Sequence, residues 1–196
     1  ILSEETGLHE NRAQEYLWTI DPIDGTTNYA HSLPFCCVSI ALLLNGTPQV
    51  GVVYNPFMEE LFHAVRGQGA FLNDVPLSVS KNETLAKSLL ATGFPYNRNT
   101  NPNNNFQEFV QLTNLTQGVR RIGAAALDLA YVAAGRLDGY WESGIKIWDI
   151  AAGALIVEEA GGRISDYNET PLDLGSGRIL ASNGLIHSAL SMELRR

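Results

Sequence analysis

The feature that most constrains the fold is a pair of apolar runs joined by Asn45-Gly46. One run covers residues 35–44 and the other covers residues 49–54. Asn-Gly is favoured in two-residue hairpin turns, because both positions require positive φ. The pattern therefore predicts two antiparallel strands, which short apolar runs with glycine punctuation extend into a meander. Those further strands are predicted at residues 16–20, 61–65 and 70–72.

The second half of the chain alternates between helices and strands. It follows a stretch rich in Asn, Pro and Thr at residues 97–105, whose composition predicts a loop. Apolar residues then recur every three or four positions, which is the spacing of an amphipathic helix. Blocks of both types predict an α+β or layered α/β sandwich with a mostly antiparallel first sheet. The helices are predicted at 106–115, 124–134, 149–160 and 187–194, and the strands at 138–141, 163–165 and 178–181.

The composition limits the class of protein. With 196 residues, 45% of them hydrophobic and 17% charged, the chain can bury a sizeable core as one soluble domain. Its 21 acidic and 13 basic residues leave a net charge of -8. This balance argues against nucleic acid as a partner, since nucleic-acid binding uses clustered Lys and Arg. The acidity suits metal cations, although it equally serves solubility.

Two features bear on the cellular compartment. The most apolar stretch, residues 35–44, is well short of the roughly 20 residues that cross a bilayer, so no membrane association is expected. Cys36 and Cys37 are the only cysteines, and neighbours on a strand point to opposite faces. They cannot form an ordinary disulfide framework. We therefore predict a reducing compartment such as the cytoplasm.

The segment from Trp18 to Asn28 carries the most chemistry. An apolar strand runs into Asp21 and Asp24, which are followed by Gly25 and two threonines. Gly25 can adopt a φ that is closed to other residues, and the amides after it can point together at an anion if a helical turn begins there. Carboxylates beside such amides place hard oxygen ligands next to a phosphate cradle. That layout is what a Mg²⁺-dependent phosphate enzyme needs.

Each of the acidic groups also has an ordinary structural interpretation. Asp24 and Thr26 would form an Asx turn that caps a short helix. Glu4-Glu5 would be a solvated strand end, and Asp149 would be the N-cap of the helix that follows it. It is the combination of these groups in one chain that favours a functional site.

Three blocks of sequence occur together in the chain. They are Glu4-Glu5, residues 21–28 (Asp-Pro-Ile-Asp-Gly-Thr-Thr-Asn), and residues 148–153 (Trp-Asp-Ile-Ala-Ala-Gly), which lead on to Gly161-Gly162. This combination resembles the inositol monophosphatase family of lithium-sensitive, magnesium-dependent phosphatases. The likeness extends over essentially the whole chain. It implies the family's fold, a sandwich of alternating helix and sheet layers of the αβαβα type.

The resemblance implies a metal centre with oxygen ligands. The cofactor would be Mg²⁺, as two or three ions, with Asp21 shared between ions. If the Glu4-Glu5 pair is shifted by one residue relative to the family pattern, Glu5 is the metal ligand in place of Glu4. Carried over to this sequence, the metal ligands are Glu4, Asp21, the main-chain carbonyl of Ile23, Asp24 and Asp149.

The resemblance also implies how a phosphate ester is bound and attacked. The Thr26 hydroxyl, assisted by Glu4, would orient the attacking water. Glu142 would accept hydrogen bonds from a polyol hydroxyl. The phosphate- and substrate-binding residues would be Ile23, Asp24, Gly25, Thr26, Gly123, Ala124, Ala125, Glu142 and Asp149.

The implied activity is that of a phosphomonoesterase that converts myo-inositol monophosphate into myo-inositol and phosphate. Two cations would neutralise the ester, lower the pKa of a bound water and stabilise the departing alkoxide, so no covalent phosphoenzyme is needed. Histidinol phosphate and fructose 1,6-bisphosphate are alternative substrates on the same fold. The partner is therefore a small phosphate ester, and the family suggests a homodimer.

One part of the family pattern is not found in this sequence. Members normally begin with two helices and a Thr-Asp pair ahead of the Glu-Glu block, whereas this sequence starts at Ile1. We expect one N-terminally truncated domain over residues 1–196. Its metal- and phosphate-binding sheet portion would be 1–96 and its C-terminal α/β portion 97–196. The chain alone would then have weak or no activity, because Thr26 lacks its Asp partner.

Two other functions fit parts of the sequence. Haloacid-dehalogenase-type phosphatases use an Asp nucleophile in an Asp-x-Asp-Gly-Thr signature, but here two residues separate Asp21 from Asp24. On a regular strand this spacing sends the side chains to opposite faces. A non-catalytic, metal-binding scaffold is the second alternative. Arg120-Arg121 could steer an anionic substrate, but the favoured interpretation is a solvated pair beside a helix.

Overall fold

The computed structural model describes residues 1–8 and 15–195, which form thirteen strands and five α-helices. The strands are β1 (Leu2–Ser3), β2 (Gly7–Leu8), β3 (Tyr16–Asp24), β4 (Cys37–Leu44), β5 (Thr47–Asn55), β6 (Glu60–Val65), β7 (Ala70–Leu72), β8 (Val75–Pro76), β9 (Leu89–Thr92), β10 (Gly118–Arg120), β11 (Gly139–Ser143), β12 (Arg163–Ser165) and β13 (Arg178–Ser182). The helices are α1 (Thr26–Ala30), α2 (Phe106–Leu115), α3 (Ala125–Ala133), α4 (Ile147–Glu159) and α5 (His187–Leu194).

The first sheet is built on the predicted meander. Its strand order is β2-β1-β3-β4-β5-β6-β7-β8, and every pair from β3 to β8 is antiparallel. Asn45 and Gly46 form the turn between β4 and β5 with φ values of 48° and 79°, which an Asn-Gly pair tolerates. The antiparallel prediction is confirmed. β1 joins the sheet parallel to β3.

The second sheet is mixed and has the order β10-β9-β11-β13-β12. β9 runs parallel to β10 and β11, whereas β13 is antiparallel to β11 and β12. The sequence pattern did not predict β9, because it is a short apolar run without alternation. Leu90 and Ala91 in it are fully buried, as is typical of a parallel strand covered on both faces.

The core lies between the two sheets, where α3 and α4 pack. Residues 150–157 of α4 are all buried. The first sheet approaches this helix closely at Gly51, since a Cβ there would lie only 2.7 Å from the carbonyl oxygen of Ala152. Helices α2 and α5 cover the other face of the second sheet. The described layers therefore run sheet, helices, sheet, helices, which confirms the layered α/β sandwich.

The helices also bear on membrane association. α4 has 13 residues. Within residues 1–8 and 15–195, no helix combines the length and the apolar character that crossing a bilayer requires.

Candidate active site

β3 brings Asp21 and Asp24 into one buried region. The strand continues past its predicted end at residue 20 and finishes at Asp24. Its pairing with β4 shifts register between Asp21 and Asp24. Because of this irregularity, both carboxylates are buried, at 1% and 8% exposure, and border the same cavity. A regular strand would have sent them to opposite faces.

The turn after β3 depends on Gly25, which has a φ of +88°. A Cβ at this position would lie 2.8 Å from the carbonyl oxygen of Phe35. α1 begins directly afterwards at Thr26, and Gly25 rather than Asp24 is its N-cap. The buried Asn28 side chain donates hydrogen bonds to the carbonyls of Phe35 (2.7 Å) and Ile122 (2.8 Å). These bonds fix α1 against the segment that leads into α3.

Asp24 connects the first sheet to α3. Its Oδ2 accepts a hydrogen bond of 2.7 Å from the backbone N–H of Ala126, in the first turn of that helix. The Cys37 thiol donates to the same oxygen over 3.7 Å. A carboxylate at a helix N-terminus is stabilised by the helix dipole and by the unpaired first-turn amides.

Asp149 reaches the site from the first turn of α4. This helix starts at Ile147, two residues before its predicted start, and Lys146 is its N-cap. Asp149 Oδ2 accepts a hydrogen bond of 2.8 Å from the Lys146 N–H, so the carboxylate caps the helix and also faces a cavity. Ser39 Oγ in β4 donates to the Trp148 carbonyl over 3.0 Å, which ties the start of α4 to the first sheet.

Two adjoining cavities surround these carboxylates. The smaller one has a volume of about 140 Å³, and we call it the carboxylate pocket. The larger one, the main cleft, has a volume of about 610 Å³. The carboxylate pocket is lined by Glu4, Asp21, Ile23, Asp24, Gly25, Thr26, Tyr96, Gly144, Lys146, Trp148 and Asp149. The two cavities share Asp24, Gly25, Thr26, Tyr96, Gly144 and Asp149, so they form one continuous space.

Most of the candidate site residues line this space. Gly123, Ala124, Ala125 and Glu142 border the main cleft. Of the two glutamates weighed as ligands, Glu4 lines the carboxylate pocket, and the exposed Glu5 lines neither cavity.

The two adjacent arginines at 120–121 differ in whether they border a cavity. Arg121 lines the main cleft, whereas Arg120 lines neither of the two cavities. Both arginines are exposed, as the interpretation as a solvated pair expects, but only Arg121 borders the main cleft. The difference follows from the end of β10 at Arg120, because successive residues of an extended chain point in opposite directions.

The carboxylates of the pocket repel one another. Burial and, after it, the charges of neighbouring carboxylates together raise the pKa of Asp21, Asp24 and Asp149 to about 7. Glu4 acts in this way on Asp21, Asp21 on Asp24, and Asp24 on Asp149. Such crowding of buried like charges is relieved by a proton or by a bound cation.

Glu142 is a fixed acceptor in the main cleft. Its carboxylate accepts a hydrogen bond from the buried Tyr140 hydroxyl. It fills the space above Gly93, where a Cβ would overlap the carboxylate. Burial raises the pKa of Glu142, while the Tyr140 hydrogen bond and the Arg121 charge oppose that rise.

The donor chemistry of the pocket fits Mg²⁺, which prefers oxygen ligands. Its acidic side chains are all carboxylates, and their mutual repulsion favours a cation. These carboxylates are not close enough together to form a complete metal-binding cluster. In the part of the chain that the structure describes, no group of three or more His, Cys, Asp or Glu side chains is arranged to hold one.

Asn105 supports the cleft and was missed at the sequence level. It adopts a left-handed conformation with a φ of 69° and is the N-cap of α2. Its side-chain nitrogen donates to Thr92 Oγ1 (2.7 Å) and to the Gly93 carbonyl (2.6 Å), while its oxygen accepts from Trp141 Nε1 (2.6 Å). Nothing distinguishes it from the other asparagines of the 97–105 stretch except its place next to a helix start.

The fold and the site define a layered α/β protein whose buried carboxylates open into a polar cleft. A protein-family model described as the inositol monophosphatase family matches residues 1–196. The chain belongs to this family of phosphomonoesterases, as its sequence motifs implied.

Close relatives carry two kinds of name. The chain is 58% identical over 194 residues to an inositol-1-monophosphatase from Synechocystis sp., with 99% of this chain and 68% of the relative covered. It is 49% identical over 185 residues to "Nus factor SuhB" from Pasteurella multocida, with 93% and 68% covered. The structure of an inositol monophosphatase from Anabaena (Nostoc) sp. superimposes with a TM-score of 0.97 at 59% identity, covering 99% of this chain and 77% of that one.

Proposed function

We propose that the protein is a Mg²⁺-dependent phosphomonoesterase that hydrolyses inositol monophosphate. The observation that carries the proposal is the meeting of carboxylates from separate elements at one pocket that opens into a larger cleft. Asp21 and Asp24 come from β3, Asp149 from α4, and Glu4 from the segment after β1. Such a layout separates a place for cations and phosphate from a place for the alcohol part of the ester.

The chain's own residues have distinct tasks in this proposal. Mg²⁺ would be held by the carboxylates of Glu4, Asp21, Asp24 and Asp149 together with the Ile23 carbonyl, and when bound it would neutralise the phosphate and activate water. The first-turn amides of α1, which have no acceptor within the helix, would bind phosphate oxygens. The Thr26 hydroxyl, which borders both cavities, would orient the attacking water.

The main cleft supports a polyol as the alcohol. Glu142 presents a half-buried carboxylate to the cleft, and one of its oxygens already accepts from Tyr140. An acceptor of this kind suits a hydroxyl-rich ring and repels a second phosphate. The name of the Synechocystis relative also favours inositol monophosphate. Histidinol phosphate and fructose 1,6-bisphosphate are the competing substrates for the assay.

We further propose that residues 1–196 act as one domain, that two copies form a homodimer, and that the protein works in a reducing compartment. Cys36 and Cys37 are both buried free thiols, in keeping with such a compartment.

A second candidate role comes from the relatives called Nus factor SuhB, which are 44–49% identical to this chain. The same fold would then act as a binding module without turnover. The presence of the full carboxylate set favours the enzyme, because a module of this kind has no need to crowd buried charges.

The test measures phosphate release from myo-inositol 1-phosphate by the 196-residue chain with Mg²⁺, with EDTA and with added Li⁺. The variants Asp21→Asn and Asp149→Asn remove one carboxylate each while keeping its shape. Glu83→Gln is the matched control, because Glu83 is exposed and lines neither cavity.

We expect slow but Mg²⁺-dependent release, which EDTA abolishes and Li⁺ inhibits. Either Asp variant should lower this rate by at least about a hundredfold, while Glu83→Gln should keep the wild-type rate. Faster turnover of histidinol phosphate or fructose 1,6-bisphosphate would reassign the substrate. Mg²⁺ binding with no release from any ester would favour the module.

A further inference from the structure

The main cleft contains a buried carboxyl group that the fold leaves unsatisfied. Asp128, in α3, lines the cleft and is 2% exposed. Its Oδ1 has no hydrogen-bond partner within residues 1–8 and 15–195. Burial raises the pKa of Asp128 well above its usual range, and the Glu142 and Asp24 carboxylates raise it further. Buried polar atoms are nearly always hydrogen-bonded, so this one calls for a specific explanation.

Arg121 is an unpaired cation in the same cleft. Among the residues that the structure describes, its guanidinium makes no hydrogen bond and no ion pair. Its charge opposes the burial that raises the pKa values of Asp128 and Glu142. An arginine that faces a cleft without a protein partner has its donors available to a ligand.

Two glycines leave the space that the Arg121 and Glu142 side chains occupy. At Gly123, a Cβ would overlap the Arg121 guanidinium. At Gly93, a Cβ would overlap the Glu142 carboxylate. The guanidinium and the carboxylate therefore each rest against bare backbone, and both border the main cleft beyond the carboxylate pocket.

We propose that Arg121 is a specificity-determining residue that donates hydrogen bonds to a hydroxyl oxygen of the substrate, while Glu142 accepts from a neighbouring hydroxyl. Asp128 is a positioning residue whose carboxyl borders the same cleft and attracts the Arg121 guanidinium without forming an ion pair with it. The inference rests on the proposed function and deepens it. Its new element is Arg121, which would distinguish esters that carry hydroxyls next to this side chain from aryl esters.

The chemistry of a hydroxyl pair explains this choice. A hydroxyl both donates and accepts, so two neighbouring hydroxyls satisfy a guanidinium and a carboxylate at once. A second phosphate would pair with Arg121 but would meet the Glu142 and Asp128 carboxyls. An ammonium group would pair with those carboxyls but would meet Arg121. An aryl group offers a hydrogen bond to neither the guanidinium nor the carboxylate.

The experiment compares kcat/KM for myo-inositol 1-phosphate and for p-nitrophenyl phosphate in Mg²⁺, using the full chain. The variants are Arg121→Gln and Asp128→Asn, both of which keep the approximate shape of the side chain. Arg120→Gln is the matched control, since Arg120 is the adjacent exposed arginine and lies outside both cavities. Calorimetric binding of myo-inositol 1-phosphate to each protein gives a readout that does not depend on turnover.

We expect Arg121→Gln to lower kcat/KM for the inositol ester at least tenfold more than for the aryl ester, the effect of one charged hydrogen bond. Asp128→Asn should raise KM for the inositol ester several-fold with a smaller change in kcat, which a general loss of structure would not produce. Arg120→Gln should match the wild-type protein on both esters and in calorimetry.

An equal loss on both esters in Arg121→Gln, or an unaltered preference for the inositol ester, overturns the inference. The same shift in Arg120→Gln also overturns it, because the effect would then be a general one of surface charge. If the wild-type protein hydrolyses neither ester, the proposed function fails. Calorimetry then decides the inference alone: tenfold weaker binding in Arg121→Gln supports it, and equal binding refutes it.

Discussion

His187 makes the stability of the fold depend on pH in a way that can be measured. The imidazole is fully buried at the start of α5. Its Nε2 lies 2.8 Å from Ser165 Oγ, and its Nδ1 lies 2.9 Å from Ser182 Oγ. Burial and, to a smaller extent, the charge of Arg163 together lower the pKa of His187 from 6.5 to about 4. The fold therefore holds this side chain in its neutral form.

The sign and size of the effect follow from proton linkage. Between pH 6.5 and pH 4 the unfolded chain binds a proton at His187 and the folded chain does not, so acidification favours unfolding. The contribution is fully present above pH 6.5 and is lost as the pH falls towards 4. The total loss is about 3 kcal/mol, of which about 2 kcal/mol is already lost at pH 5.

The assay is urea unfolding at pH 7.5, 6.5, 5.5 and 4.5 in the wild-type protein and in His187→Gln, without added metal. The pKa values of Asp21, Asp24 and Asp149 are raised, so their titration contributes with the opposite sign in both proteins. Subtracting the two curves isolates His187. We expect the variant to be less stable at pH 7.5, with the gap closing by about 2 kcal/mol at pH 5. A gap that stays constant from pH 7.5 to pH 4.5 would refute the reasoning.

Three further predictions concern the site. Gly25→Ala should lower phosphate release at least about a hundredfold and also lower Tm. Gly46 has a similar φ, but nothing lies within 4 Å of a new Cβ there. Gly46→Ala should therefore lower the free energy of unfolding by only about 1 kcal/mol and keep the rate of phosphate release. Equal effects in calorimetry and in the assay would contradict this. Mg²⁺ should raise Tm because it binds the folded state. At a hundredfold excess over Kd, the free energy of unfolding should increase by about 2.7 kcal/mol, and Asp149→Asn should abolish this increase. In EDTA at pH 8, the Tm of Asp149→Asn should equal or exceed that of the wild-type protein, because the variant lacks one of the carboxylate charges that repel each other. A clearly lower Tm would count against that reasoning.

The motif between Trp18 and Asn28 could be interpreted from sequence because its chemistry is local. A strand, two carboxylates, a glycine and hydroxyl residues follow one another within a few positions. What could not be predicted is that Asp21 and Asp24 are buried together. This arrangement depends on a register shift against β4, which is a property of the pairing partner and not of the motif.

The residues that the sequence did not distinguish are those whose role is set by distant packing. Arg120 and Arg121 are chemically identical neighbours, and only the end of a three-residue strand determines which of them faces the main cleft. Asn105 is one of several asparagines in a loop, and its contacts to Thr92 and Trp141 join segments that are far apart in the chain. Short parallel strands such as β9 and β10 leave no periodic signal, so the elements that position these residues were not predicted either.

The pocket also explains why the net charge of -8 is more than a solubility feature. The carboxylates of Asp24 and Asp149 each lie at the start of a helix, where the backbone N–H groups of Ala126 and Lys146 donate hydrogen bonds to them. These bonds keep the two acidic groups in place while burial and neighbouring charges raise their pKa values. The hydrogen bonds at the two helix starts therefore partly compensate for the repulsion between the carboxylates. A cation bound there would remove the repulsion and keep the hydrogen bonds, so the carboxylates that weaken the metal-free fold are those that would bind the metal most favourably.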